Sequence, residues 1–280
     1  MVRDGDPPGG DELRTGWQQM LAAETASLLA AEMSVQAVWV VGSLGSPEAA
    51  VDAWSDVDLA VVVRDDSLGS WFPGTSWLAP VGKVWATDHS EQPLRKTTRV
   101  VFDDTRRLDV IFFAGSFGPI DLVGNRVWSR DTHALAAAGS HTPVRRAPRD
   151  FSGAPAPAPD TVGRLLNQFR FVASLAVVKL ARADLLVGLH LTIECVRLVL
   201  VLAMIMRDDA LPPVLWADVP ETIRTMPTPG EVATALLVIE QSAAIFDGHI
   251  QAGYRRRLEG GPLEQLIARL RQEVSAPGTS

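Results

Sequence analysis

The stretch "VVGSLGSPEAAVDAWSDVDLAVVV", residues 40–63, decides how the chain is read. It ends in an apolar run, Leu59 to Val63, that has the composition of a buried strand, and it begins at the close of another, Ala37 to Val41. Between them stand Gly42 and Ser43, a connection of about a dozen residues, and then Asp56 and Asp58 at the mouth of the second strand. Side chains alternate along a strand, so Asp56 and Asp58 project from one face and Val57 from the other. Two carboxylates therefore converge on one point.

Working outward, two further strands are expected at Thr98–Phe102 and Leu108–Phe113, the latter opening with Asp109 in "TRRLDVIFF". Leu108 and Val110 should point away from Asp109, which leaves a third carboxylate at a strand mouth. Three acids about 5 Å apart repel by roughly 3 kcal/mol per pair at an effective dielectric near 20, so a cation is expected among them. Magnesium suits them, because it is a hard ion that takes carboxylate oxygens and keeps water and phosphate ligands. Gly42 and Ser43 offer backbone N–H groups and a hydroxyl for phosphate oxygens. A lone Asp-x-Asp is common at turns, and only the whole arrangement makes it informative.

Upstream, residues 1–10 read as a disordered tail, and residues 12–33 as an amphipathic helix with Leu13, Trp17, Met20, Leu21, Leu28 and Leu29 on its apolar stripe. Residues 11–138 form the expected first domain. The Pro- and Ala-rich stretch 139–160 reads as a linker. Beyond it, Thr161–Leu180, Asp184–Met206, Gly230–Gln251 and Leu263–Val274 carry helical spacing, giving a helical domain over 161–274 and a tail at 275–280.

A net charge of −7 argues against a nucleic-acid groove or a basic membrane face. The opening residues lack an apolar leader, so the expected compartment is the cytoplasm. Cys195 is the single cysteine and reads as core. Leu185–Met206 is long enough to span a membrane, but His190, Glu194 and Arg197 interrupt it at helical spacing, so a buried helix with a solvated, mutually paired stripe is expected. Trp54 and Trp85 read as packing residues, with stacking on a sugar or base as the alternative.

The residues now on the page resemble the nucleotidyltransferase fold and, within it, the aminoglycoside 6-adenylyltransferases that inactivate streptomycin. The likeness runs through "GSLGSPEAAVDAWSDVDLAVVV" and "FDDTRRLDVIFF" into "NQFRFVASLAVVKLARADLL", where Asn167, Phe169, Lys179, Arg182 and Asp184 match positions that family tends to keep. It implies an α+β chain: a mixed sheet with flanking helices, followed by a helical bundle that closes the cleft.

By similarity, Asp56, Asp58 and Asp109 hold Mg2+ that bridges the triphosphate of ATP, with Asp109 either a ligand or the general base for an acceptor hydroxyl. Gly42, Ser43, Lys179 and Arg182 contact the nucleotide. Asp184 reads as a helix N-cap or as a second catalytic acid facing a cationic acceptor. The implied reaction moves AMP from ATP to a hydroxyl of a small aminoglycoside-like antibiotic and releases pyrophosphate.

Two departures stand out. Leu44 occupies the place where that family usually has arginine after Gly-Ser, and the region past Met206 is recast as "RDDALPPVLWADVPETIRTMPTPGE". Alternative readings are adenylylation of a lincosamide, another metabolite or a protein, or a non-catalytic antitoxin-like nucleotide-binding module.

Overall fold

The computed structural model describes residues 16–46, 48–117, 125–129 and 160–275. The expected tail at 1–10, nearly all of the linker, and residues 276–280 lie outside them. The described chain divides into two units.

The first unit is built on a six-stranded mixed sheet in the order β3-β4-β5-β2-β1-β6. Its strands are β1 (Val35–Val41), β2 (Val57–Val63), β3 (Val84–Gln92), β4 (Arg95–Phe102), β5 (Arg107–Ala114) and β6 (Asn125–Ser129). β1 runs antiparallel to β2 and β6, while β2 and β5 are parallel. All four strands expected from the sequence form. β3 was unforeseen because "VWATDHSEQ" buries little beyond its first three residues, so no apolar run announces it.

In β2 every residue except Asp58 is buried, which is why "VDLAVVV" is continuous rather than alternating: both faces of the central strand are covered. Helix α1 (Trp17–Ala30) packs on β1 and β2 through Trp17, Leu21, Ala26 and Leu29, spaced at three to five residues. Met20, expected on that stripe, instead faces outward at 60% exposure. Small residues, Ala22 and Thr25 among them, complete the buried face, and apolar spacing alone could not identify them.

The second unit is a helical bundle of α3 (Thr161–Ala181), α4 (Leu185–Asp208), the short α5 (Val219–Arg224), α6 (Val232–Tyr254) and α7 (Gly261–Ser275). Asp160 caps α3 by accepting the Gly163 N–H at 3.0 Å. The turn between α3 and α4 is tight enough that a Cβ on Gly188 would stand 2.8 Å from the Leu180 side chain. Phe169 and Phe246 stack at 4.4 Å in the core, and Cys195 is fully buried, which raises its thiol pKa.

α4 is long and apolar enough to cross a membrane, yet it turns Thr192, Cys195, Leu198, Leu202 and Met206 into the packing against α3 and α6. Residues 85–87 of β3 and residues 101–105 are grouped with this unit rather than with the first. The Asn167 amide accepts the Thr87 N–H at 2.8 Å and donates to the Thr87 carbonyl at 2.6 Å, pairing with that backbone as a strand would. Arg170 donates to the carbonyls of Trp85, Arg257 and Leu258.

Candidate active site

Register assembles the site. The parallel pairing of β2 with β5 sets Asp58 against Asp109, and the antiparallel pairing of β1 with β2 sets Val41 against Asp58. Asp56 lies just before β2 begins. One carboxylate oxygen from each of Asp56, Asp58 and Asp109 comes within 4.8 Å of the others. Leu108 and Val110, on either side of Asp109, are buried in the opposite direction.

Three negative charges in so small a volume cannot all ionise freely. The Asp58 carboxyl is pushed up to about 7, first by burial and then by the charges of Asp56 and Asp109, against the pull of Arg107 and Arg99. Asp109 is pushed up to about 6, again chiefly by burial, with Arg107 pulling the other way. Two arginines offset part of the charge. Arg107 Nη2 donates to Asp56 Oδ2 at 2.9 Å, and Arg99 Nε donates to Asp109 Oδ2 at 3.1 Å. A second nitrogen of Arg99, Nη1, reaches Asp88 Oδ2 at 2.8 Å.

The sequence reading passed over Arg99, Arg107 and Asp88. A signal existed: Arg107 is two residues from Asp109 and shares its strand face. Asp88 and Arg99 stand equally far from the Pro93–Leu94 connection between β3 and β4.

Gly42 closes β1 with a left-handed φ of +64°, and a Cβ there would fall 2.1 Å from Asp58 Oδ2. The backbone therefore approaches the acids as closely as only glycine permits. Ser43 follows in the single helical turn α2 (Gly42–Gly45). Leu44, standing where an arginine was expected from the resemblance, lines an apolar cavity of about 450 Å³ with Ala22, Ala26 and Val127. An apolar side chain suits that wall.

Lys179, Arg182 and Asp184 lie in the second unit, at the α3–α4 turn. Asp184 caps α4, accepting the Val187 N–H at 3.4 Å, and its other oxygen is 3.8 Å from Lys179 Nζ. Arg182 closes α3 as its C-cap and is exposed. Glu194 and Arg197 pair with each other on the outer face of α4, and the Arg197 hydrogen bond holds the Glu194 carboxyl below its ordinary value. Trp54 and Trp85 are both buried packing residues, and the Trp85 indole N–H donates to the Glu259 carbonyl at 2.7 Å.

The family model for streptomycin adenylyltransferase matches residues 18–207, a span that includes the three acids, both arginines and the Lys179–Asp184 turn. The chain belongs to the streptomycin adenylyltransferase family. It is a nucleotidyltransferase, an enzyme that moves an adenylyl group from a nucleotide donor to an antibiotic acceptor.

Among solved structures, an aminoglycoside 6-adenyltransferase from Bacillus subtilis matches at 13% identity and a TM-score of 0.30. The match covers 92% of this chain and 98% of that one. No curated protein sequence matches.

Proposed function

We propose that the chain is a magnesium-dependent adenylyltransferase that moves AMP from ATP to a hydroxyl of a small cationic antibiotic of the aminoglycoside class. The observation that carries this is the gathering of three carboxylate oxygens within 4.8 Å, two of them on side chains that burial and mutual repulsion drive toward protonation. Such a group is costly without a cation, and an all-oxygen, all-anionic donor set suits a hard divalent ion.

Asp56, Asp58 and Asp109 would hold Mg2+, which when bound neutralises charge on the phosphates around the reacting phosphorus. In the transfer, the acceptor oxygen forms a bond to the α-phosphorus while the α–β anhydride bond breaks and pyrophosphate leaves. Asp109 serves either as the third ligand or, off the ion, as the base that takes the hydroxyl proton, a role in which burial makes it a stronger base than an exposed aspartate.

Gly42, whose lack of a side chain lets the backbone close on Asp58, and Ser43 are proposed phosphate contacts through a backbone N–H and a hydroxyl. Lys179 and Arg182 are proposed phosphate contacts, since a flexible ammonium follows a mobile triphosphate well. Asp184 is proposed to meet a cationic group of the acceptor with the oxygen that the cap does not use.

Incubation with ATP, Mg2+ and a panel of aminoglycosides should release pyrophosphate and add one adenylate to the accepted drug by mass. Absence of both products across the panel, with Asp58→Asn indistinguishable from wild type in ATP and metal binding, would remove the proposal.

A further inference from the structure

Arg99 sits between two carboxylates that have different surroundings. Asp109 is one of the three clustered acids, with a side chain only 17% exposed, whereas Asp88 on β3 has a side chain 44% exposed and stands outside the cluster. The guanidinium spans them in a fork, Nε to Asp109 at 3.1 Å and Nη1 to Asp88 at 2.8 Å. A planar fork of fixed geometry transmits orientation as a lysine could not.

A partly exposed ion pair such as Asp88–Arg99 adds little to stability. Its geometric effect is larger. Arg99 Nε donates to Oδ2 of Asp109, which restrains the rotation of that carboxylate, and Asp88 in turn restrains Arg99.

Resting on the adenylyltransferase reading above, we infer that Asp88 and Arg99 are positioning residues: Asp88 orients Arg99, and Arg99 orients the Asp109 carboxylate for catalysis. Neither touches the reacting atoms. Partners that orient a metal-site or catalytic carboxylate typically alter affinity or rate by about 10- to 100-fold when removed. The two residues act in series, so their removal should not multiply. Arg107 serves Asp56 in a separate pair and does not replace them.

The test uses the full-length chain and three variants, Asp88→Asn, Arg99→Lys and the double variant, each with Mn2+ affinity read by electron paramagnetic resonance and steady-state adenylyl transfer. Asp88→Asn should lower kcat about 10-fold and leave the KM for ATP within about twofold. Arg99→Lys, which keeps the charge and loses the fork, should lower kcat further. The double variant should be no slower than Arg99→Lys alone.

Wild-type kcat in Asp88→Asn overturns the inference, as does a double variant whose loss is the product of the two single losses. Because Asp88 is partly exposed, its asparagine variant should melt with wild type; a melting temperature lowered in step with kcat would assign it a structural role instead. Failure of wild type itself to bind Mn2+ is a different result, which removes the metal reading and this inference together.

Discussion

Asp58 and Asp109 are direct partners across the parallel β2–β5 pair, with no residue of offset. Two apolar runs that would otherwise form an ordinary central pair thus carry a repelling contact at their mouth, and the fold tolerates a local cost there. The Asp58 carboxyl, pushed up to about 7 from its ordinary value of 3.8, holds its proton more tightly in the folded than in the unfolded chain. The sign follows from linkage. A carboxylate with a raised folded pKa costs nothing below the unfolded value, and its penalty grows as pH rises from about 4 to about 7.

The metal-free protein is therefore expected to melt at a higher temperature at pH 5 than at pH 8, as far as this group dictates. The full penalty is on the order of 2–4 kcal/mol after allowance for partial solvent access. Asp58→Asn should raise the melting temperature at pH 8 by about 5 °C without metal, and Mg2+ should stabilise wild type but not the variant. Scanning calorimetry at the two pH values, with and without Mg2+, checks this. A variant that melts below wild type at pH 8 contradicts the assigned repulsion.

Gly42→Ala places a methyl 2.1 Å from Asp58 Oδ2 on a backbone with φ of +64°, so both contact and conformation resist it. The strain alone costs about 1 kcal/mol or more, but the larger consequence is displacement of Asp58. Transfer activity should fall about 100-fold, with Mn2+ affinity falling alongside it. Normal Mn2+ affinity in a folded Gly42→Ala protein would show that the close approach of Gly42 is incidental.

The strands that build the acid cluster were legible because their chemistry is local: glycine before a turn, alternation of Asp56 and Asp58, and long valine runs that can only be buried. The pairing of β2 with β5 was not legible, because register between strands some fifty residues apart is set by packing of the whole sheet. Arg99, Arg107 and Asp88 were missed for a related reason: each acquires its role from a cross-strand or diagonal neighbour and belongs to no sequence motif. Met20 shows the converse limit, since an apolar residue near helical spacing can still face outward when alanine and threonine suffice for the buried side.

Asn167 pairs with both backbone groups of Thr87, so its removal leaves an N–H and a carbonyl without those partners. Asn167→Ala is expected to destabilise by about 2–4 kcal/mol, and Asn167→Asp, which keeps an acceptor but loses the donor, by about half of that. Chemical denaturation followed by tryptophan fluorescence measures both, with Trp85 two residues away as a reporter. Equal stability of the two variants would indicate that the bond accepted from the Thr87 N–H contributes nothing.

Asp184 holds two possible duties that substitution can separate. As the α4 N-cap it accepts the Val187 N–H, and asparagine caps as well as aspartate does, whereas alanine loses about 1 kcal/mol. As an anion 3.8 Å from Lys179 it carries charge that asparagine removes. Asp184→Asn should therefore keep wild-type stability while raising the acceptor KM about 10-fold, and Asp184→Ala should show that same rise together with the lost cap. Lys179→Met should raise the KM for ATP and leave that for the acceptor nearly unchanged. An Asp184→Asn enzyme with wild-type acceptor KM reduces Asp184 to a cap, and the cationic group of the acceptor must then be met elsewhere.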